Sequence, residues 1–245
     1  MIITSKSNEL IKRARALRRA KERRESGLHL IEGDKLVLDA LRSKAAIKTV
    51  FVEAGFDAPA GAPCVFVSRE VLESLCETEA PQHLCAVAAT PDCSCPKLYP
   101  DGLVVVLDGL QDPGNVGTII RTADALGARA VLLGEDAADA FSPKCVRSAM
   151  GSCYHIPVFR SGLLSELERL ERQGFLLLCG HLQGTETPPP KAEKTALVIG
   201  NEGRGVKEEL ASLCYRYRLP QKGGAESLNA AVFAAIMMDR ILNSY

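Results

Sequence analysis

Three short segments of the sequence combine glycines with charged or amide side chains, as a binding site requires. The first, residues 108–127 (DGLQDPGNVGTIIRTADALG), links a strand to a helix through an Asp-Pro-Gly-Asn turn. The second, residues 197–205 (LVIGNEGRG), is an apolar strand that runs into three glycines within six residues. The third, residues 219–229 (LPQKGGAESLN), is an irregular loop before a helix. Glycines at such places let a ligand approach the backbone closely.

The helix of the first segment carries Arg121, with Ile119, Ile120 and Ala123 around it. Taken alone, an arginine at such a place is more often a surface or ion-paired residue than a catalyst. Asp112 or Asn115 is predicted to cap the start of this helix and Gly127 to end it. Ser227 is the predicted N-cap of the helix after the third segment.

The second segment does not fit the common nucleotide-binding loops. Gly200 and Gly205 have P-loop spacing, but Val206 stands where lysine is required, and neither Ser nor Thr follows Lys207. The G-x-G-x-x-G of dinucleotide enzymes is missing, as is the glycine-rich first turn of a Rossmann-type methyltransferase. A nucleotide-cofactor enzyme of Rossmann type is therefore a disfavoured alternative.

Composition narrows the class of protein further. With 245 residues, 47% hydrophobic and 24% charged, the chain can form one large or two small cored domains. Apolar runs are too short to cross a bilayer, and the N-terminus is not of signal-peptide type, so we expect a cytoplasmic protein without membrane contact. Nine cysteines, including the pair Cys93 and Cys95, indicate reduced thiols. Neither they nor the four histidines have metal-ligand spacing, so no metal is expected.

The N-terminus is strongly basic. Residues 1–25 hold nine Lys or Arg against three Glu, a net charge of +6 that the remaining residues balance. Leu10, Ala14 and Leu17 recur at helical spacing, which predicts an amphipathic helix docked by its apolar stripe. The charge favours binding of a polyanion over a merely solvated helix face. The candidate contacts are Lys12, Arg15, Arg18 and Arg19.

The order of elements predicts two α/β domains. In the first half we expect helices at 35–42 and from Ser68, and strands at 47–52, 64–67 and 84–89. Residues 90–102 are rich in proline and polar residues, and we place a linker at 93–102, between domains 1–92 and 103–245.

Continuous apolar strands at 103–107, 130–133, 175–179 and 196–199, separated by helices, are typical of a buried parallel sheet. Residues 230–238 are all apolar, so this last helix is expected in a deep core or a subunit interface.

Together, the three segments resemble the SpoU (TrmH) family of RNA 2′-O-ribose methyltransferases in the SPOUT superfamily. Residues 141–158 and 27–41 are also similar to that family, so the resemblance covers nearly the whole chain. One departure is Gln221, where methionine is common. The matched positions are Asn115, Gly117 and Arg121 in motif 1; Gly200, Glu202 and Gly203 in motif 2; and Pro220, Gly223, Glu226, Ser227, Leu228 and Asn229 in motif 3.

The resemblance implies a parallel-sheet SPOUT domain with a deep trefoil knot, a small N-terminal α/β domain of ribosomal L30e type that binds the substrate, and a homodimer. It implies S-adenosylmethionine (SAM) as cofactor and an RNA substrate, ribosomal or transfer, held partly by the basic helix. The implied cofactor-binding residues are Ile199, Gly200, Gly203, Leu219, Pro220, Gly223 and Leu228.

The resemblance also assigns Arg121 to the target hydroxyl and its phosphate, either as clamp or as base. A guanidinium normally stays protonated, which favours the clamp. The remaining implied catalytic residues, which would orient Arg121 and the ribose, are Asn115, Glu202, Ser227 and Asn229. A family member that kept the fold and lost catalysis is the second alternative.

Overall fold

A computed structural model describes residues 2–224 and 226–244, without the side chain of Ser244. The chain forms two compact units. The first comprises the chain up to Pro91 together with Phe141–Tyr154, and the second comprises the rest.

The first unit is a five-stranded mixed sheet with helices, in the strand order β1-β4-β3-β5-β2. Strands β1, β4 and β3 run parallel to one another, whereas β5 is antiparallel to both β3 and β2. Its strands are β1 (Ile2–Ile3), β2 (Leu28–Glu32), β3 (Ile47–Glu53), β4 (Cys64–Val67) and β5 (Leu84–Ala89). Its helices are α1 (Glu9–Ala16), α2 (Ala20–Ser26), α3 (Asp34–Arg42), α4 (Arg69–Leu75) and, from the inserted segment, α6 (Pro143–Ala149) with a 3₁₀ turn at Ser152–Tyr154.

The basic N-terminal segment differs from its prediction in two respects. It forms two helices, α1 and α2, instead of one, and Leu10 is 39% exposed while its neighbour Ile11 is fully buried. The docked stripe is therefore Ile11, Ala14 and Leu17. Arg23 is buried as well, and its Nη1 donates to the carbonyls of Leu17 and Arg18, at 2.8 Å each, across the turn between the helices.

The sequence did not predict that the segment Phe141–Tyr154 packs with the first unit. Arg147 of α6 reaches the buried carboxylate of Glu32 on β2 at 2.8 Å. His29, fully buried on the same strand, is hydrogen-bonded through Nε2 to the hydroxyl of Tyr154 at 2.7 Å. Polar side chains on β2 thus hold a segment that lies more than 100 residues further along the sequence.

The second unit confirms the α/β fold with a parallel sheet. All six strands run parallel, in the order β11-β9-β10-β6-β7-β8. The strands are β6 (Leu103–Leu107), β7 (Ala130–Gly134), β8 (Val158–Ser161), β9 (Leu176–Thr185), β10 (Thr195–Ile199) and β11 (Tyr215–Tyr217). The helices are α5 (Pro113–Leu126), α7 (Leu163–Arg172), α8 (Glu208–Ala211) and α9 (Ala230–Asp239), which continues into a π-helical turn at Arg240–Ser244.

The helix that follows the third segment begins later than expected. The predicted cap, Ser227, is wrong, because the side-chain oxygen of Asn229 accepts from the amides of Ala231 and Val232 and makes Asn229 the N-cap of α9. The helix is also not buried on all sides, since Val232 is 49% exposed. A deep core position for the whole helix is therefore wrong.

Candidate functional site

The first two segments meet because strands β6 and β10 are neighbours in a parallel sheet. Residues 107 and 199 are in register, so the loops that follow both strands leave the same edge. The amide of Asp108 donates to the carbonyl of Ile199 at 2.8 Å, and Nδ2 of Asn201 donates to the carbonyl of Gly109 at 2.7 Å. Ligands of open α/β sheets bind at this carboxyl edge.

The glycine loop of the second segment is closed on itself. Asn201 and Gly205 exchange backbone hydrogen bonds of 3.0 and 2.9 Å, and the side chain of Asn201 accepts from the amides of Gly203 and Arg204. A Cβ on Gly200 would lie 2.2 Å from backbone atoms of Gly205 and Val206. The close approach of two backbone segments therefore requires glycine at position 200.

One asparagine links all three segments. Nδ2 of Asn115 donates to Oε1 of Glu202 at 3.0 Å, and Oδ1 of Asn115 accepts from Nδ2 of Asn229 at 3.1 Å. Because the carboxylate of Glu202 can only accept, the group of Asn115 that faces it must be the donating Nδ2. Oδ1 of Asn229 accepts from amides at the start of α9, so the Nδ2 of Asn229 is the group that faces Asn115. Helix α5, the glycine loop and α9 are therefore held in one hydrogen-bonded chain.

Glu202 is held as a carboxylate. Partial burial raises its pKa, but hydrogen bonds from Asn115 and from the backbone amides of Gln111 and Asp112 outweigh burial and leave the pKa below its ordinary value. These donors stabilise the charged form. Glu202 therefore presents a fixed negative charge at the sheet edge at neutral pH.

Arg121 lies on α5, the helix that Asp112 caps and Gly127 ends, as predicted. Its side chain is exposed and makes neither a hydrogen bond nor an ion pair with any residue that the structure describes. The structure therefore places Arg121 on the same helix as Asn115 but does not join it to the Asn115–Glu202–Asn229 chain.

Most of the candidate residues of the third segment are exposed. Leu219 is buried and Leu228 is 36% exposed, while Pro220, Gly223 and Ser227 are exposed. Within the described part of the chain, Ser227 has no side-chain hydrogen bond to the other candidates. Of the predicted catalytic residues, the structure brings together only Asn115, Glu202 and Asn229.

Sequence reasoning missed a second layer of polar contacts beneath the glycine loop. Asp108 is fully buried, and its Oδ2 accepts from the amide of Lys207 at 2.7 Å. Asp136, just beyond β7, receives Nη2 of Arg204 at 2.8 Å and Nζ of Lys207 at 3.0 Å, and raises the pKa of Lys207. The only sequence signal was an aspartate directly after a wholly apolar strand. Arg204 lies 68 positions after Asp136 in the sequence, and Lys207 is more distant still, so no local pattern reveals these contacts.

A cleft of about 420 Å³ opens beside this layer, lined by Asp136, Lys207 and the start of α7. None of the predicted site residues lines it, so it does not enlarge the candidate site. Among the described residues no group of three or more His, Cys, Asp or Glu could hold a metal ion. In the same residues no helix has the length and apolar character needed to span a membrane.

The predicted RNA-contact residues all lie on the surface of the first unit. Lys12, Arg15, Arg18 and Arg19 are exposed on α1 and the turn after it. Two of them pair with acids one turn away, Lys12 with Glu9 at 2.9 Å and Arg19 with Glu22 at 3.0 Å. Exposed pairs of this kind are weak and exchange readily for a phosphate partner.

The candidate site is a glycine loop and a hydrogen-bonded Asn–Glu–Asn network at the carboxyl edge of a parallel α/β sheet, where such folds bind their ligands. Two family models match the chain: the SpoU rRNA Methylase family over residues 102–239 and an MRM3-like substrate binding domain over residues 8–86. The chain belongs to the SpoU rRNA methylase family.

Named relatives agree with this membership. The 23S rRNA (guanosine(2553)-2′-O)-methyltransferase RlmP of Bacillus subtilis is 40% identical over 96% of this chain and 97% of its own. The AdoMet-bound rRNA methyltransferase from Sinorhizobium meliloti superposes with a TM-score of 0.88 at 32% identity, covering 98% and 97% of the two chains. The SpoU methyltransferase AviRb from Streptomyces viridochromogenes, in complex with AdoMet, gives a TM-score of 0.86 at 27% identity, covering 96% and 97%.

Proposed function

We propose that this protein transfers a methyl group from SAM to a ribose 2′-hydroxyl of RNA. The observation that carries the proposal is the hydrogen-bonded chain of Asn115, Glu202 and Asn229, which joins the three motifs in a member of the SpoU family. Ribosomal RNA is the favoured substrate, because the relative that is 40% identical is named for 23S rRNA.

The loops fit a cofactor that is bound mainly through backbone groups. A Cβ on Gly205, Gly223 or Gly224 would meet no heavy atom of the described residues within 4 Å, so these residues leave the backbone there uncovered. We propose Ile199, Gly200, Gly203, Leu219, Pro220, Gly223 and Leu228 as the residues that hold SAM. SAM supplies an electrophilic methyl group, which leaves the protein to position the reactants and manage one proton.

The proposed roles of the polar residues follow from their charges and hydrogen bonds. Arg121, free of partners within the described chain, clamps the phosphate and the 2′-oxygen of the target nucleotide. Because a guanidinium normally stays protonated in proteins, Arg121 would act as a base only if a phosphate or Glu202 relays the proton. Asn115 and Asn229 keep Glu202 and the start of α9 in place, and Ser227 contacts the ribose.

The substrate-binding part is proposed to be residues 1–92, with an L30e-like fold, and the methyltransferase part residues 103–245, with a linker at 93–102. The match of residues 8–86 to a substrate binding domain model supports the first assignment. We propose a trefoil knot in the second part on the ground of family membership alone. We propose that the protein acts in the cytoplasm.

Charge reversal of Arg15, Arg18 and Arg19 to Glu is expected to weaken RNA binding and flatten its dependence on salt. Each lost phosphate contact lowers the slope of log K against log salt by about 0.7 to 0.9. Filter binding of 23S rRNA at several salt concentrations measures both. Reversing three exposed cations of the second unit, Lys97, Arg172 and Lys191, is the control, and SAM affinity should stay unchanged in both variants. An RNA affinity equal to wild type would refute the role of α1.

The exposed face of α9 is proposed to form a homodimer. Val232 is 49% exposed in a helix whose first nine residues are all apolar, and a helix that is apolar on every side is normally buried. Val232→Glu should give a monomer by light scattering at micromolar concentration, whereas Leu164→Glu, at a 42% exposed leucine on α7, should not. A monomeric wild-type protein would rule the interface out.

The experiment that tests the function is a map of 2′-O-methylation across cellular RNA with and without the gene. The proposal requires one or a few ribose positions that lose their methyl group, and restoration in vitro by purified protein, SAM and the unmethylated RNA. An unchanged map with no transfer in vitro would favour the alternative of a binding protein that kept the fold and lost catalysis.

A further inference from the structure

The first unit exposes an aromatic pair that the proposed mechanism does not use. Phe56 is 43% exposed, and it is the only exposed phenylalanine or tyrosine among the residues that the structure describes. Its ring stacks on the imidazole of His83 with centroids 3.5 Å apart and planes 14° apart. The His83 side chain is itself 38% exposed.

The pair is held rigidly from below. Nδ1 of His83 donates to Oε2 of Glu53 at 2.8 Å, and Nη1 of Arg69 donates to the same oxygen at 3.0 Å. The hydrogen bond from His83, opposed by burial and reinforced by Arg69, lowers the pKa of Glu53. Glu53 is therefore an acceptor only, which places the proton on Nδ1 and fixes the ring.

Hydrogen bonds also hold the backbone of both residues in place. The amide of His83 donates to Oδ1 of Asp34 at 2.9 Å. Phe56 follows a turn directly after β3, in which its amide donates to the carbonyl of Glu53 at 3.1 Å and Gly55 has a φ of +98°. Little conformational entropy remains to be lost when a flat ligand stacks on such a pair.

We propose that the Phe56–His83 pair is a stacking platform for an unpaired base of the RNA substrate. This inference rests on the proposed function and adds a contact on the substrate-binding part, since both residues lie within the region matched by the substrate binding domain model. Bases in loops and bulges expose their faces to aromatic side chains, whereas bases inside a helix do not. A planar, half-exposed ring suits a nucleobase because every base has a π-face.

Phe56→Ala tests the platform in the full-length enzyme with in vitro transcribed 23S rRNA. Loss of one stacked base should raise the KM for RNA by roughly 5- to 150-fold. The kcat at saturating RNA, the affinity for SAM and the melting temperature should not change. Phe56→Trp keeps a stacking surface and should retain a near wild-type KM. Leu38→Ala removes another exposed apolar side chain of the same unit and should have no effect.

A second measurement reads stacking without catalysis. The probe is a single-stranded RNA oligonucleotide containing 2-aminopurine, whose fluorescence falls on stacking. Wild type and Phe56→Trp should quench it, Phe56→Ala should not, and the same oligonucleotide in a duplex should be unaffected.

Equal KM values and equal quenching for wild type and Phe56→Ala would overturn the proposal. So would a change in self-association of Phe56→Ala with an unchanged KM, because it would assign the pair to a protein contact. Failure of methyl transfer by wild type would instead refute the proposed function, and the quenching assay would still report on the platform.

Discussion

Arg121→Ala should lower the rate of methyl transfer by about a hundredfold to a thousandfold, the usual cost of removing one well-placed electrostatic group. The affinity for SAM should stay nearly unchanged, because the proposed cofactor residues lie on the second and third segments. The free energy of unfolding should change by no more than about 0.5 kcal/mol, as is usual for surface substitutions, because the exposed Arg121 has no side-chain partner among the described residues. The melting temperature should therefore stay near that of the wild type.

Arg121→Lys separates a clamp from a simple positive charge. Lysine keeps the charge but loses the planar fork that can hold a phosphate and a hydroxyl together, so this variant should fail as well. Turnover, SAM affinity by calorimetry and thermal unfolding on both variants test the assignment. Arg172→Ala, an exposed arginine in the last turn of α7, serves as the matched control with wild-type turnover.

An active Arg121→Lys enzyme would remove Arg121 from the catalytic residues. A parallel fall of activity and melting temperature in Arg121→Ala would instead indicate a structural role for the arginine. The structure argues against that role, because no described residue forms an ion pair with Arg121.

The parts of the fold that could be predicted from the sequence are those in which burial leaves a continuous local pattern. Strands β6 and β10 are five apolar or β-branched residues each, fully buried, and their ends were predicted closely. Strands β8 and β11 were not predicted, since Val158–Ser161 and Tyr215–Tyr217 are short edge strands that carry arginine and tyrosine. Edge strands are solvated on one side and lose the apolar signal.

Prediction of the site was limited in a similar way. The motif residues were found through resemblance, and the structure joins Asn115, Glu202 and Asn229 by hydrogen bonds. Asn201 and Asp136 were missed because their partners are set by the tertiary fold: Asn201 reaches the loop after β6, and Asp136 receives cations from the loop after β10. No spacing rule along one chain encodes such contacts.

Gly200→Ala should abolish SAM binding and destabilise the second unit. The added Cβ would lie 2.2 Å from the carbonyl carbon of Gly205 and from the amide nitrogen of Val206, well inside van der Waals contact. These atoms cannot move aside easily, because Gly205 and Asn201 form two backbone hydrogen bonds with each other. The amide of Lys207 also donates a hydrogen bond to the buried carboxylate of Asp108.

The expected cost is at or above the upper end of the roughly 1–3 kcal/mol typical of overpacking. In a chain of this size each kcal/mol lowers the melting temperature by about 2–4 °C. Calorimetric titration with SAM and thermal unfolding measure the two effects. Methyl transfer should be lost together with SAM binding, because the proposed cofactor loop contains the distorted backbone.

Gly203→Ala provides the comparison within the same loop. A Cβ at position 203 would meet only the side-chain oxygen of Asn201, at 3.6 Å, which is an ordinary contact. This variant should therefore unfold at the wild-type temperature, so that the difference between the two variants isolates the close backbone approach at Gly200. Wild-type SAM affinity and a wild-type unfolding temperature in Gly200→Ala would show that the close backbone approach at Gly200 does not determine the shape of the cofactor loop.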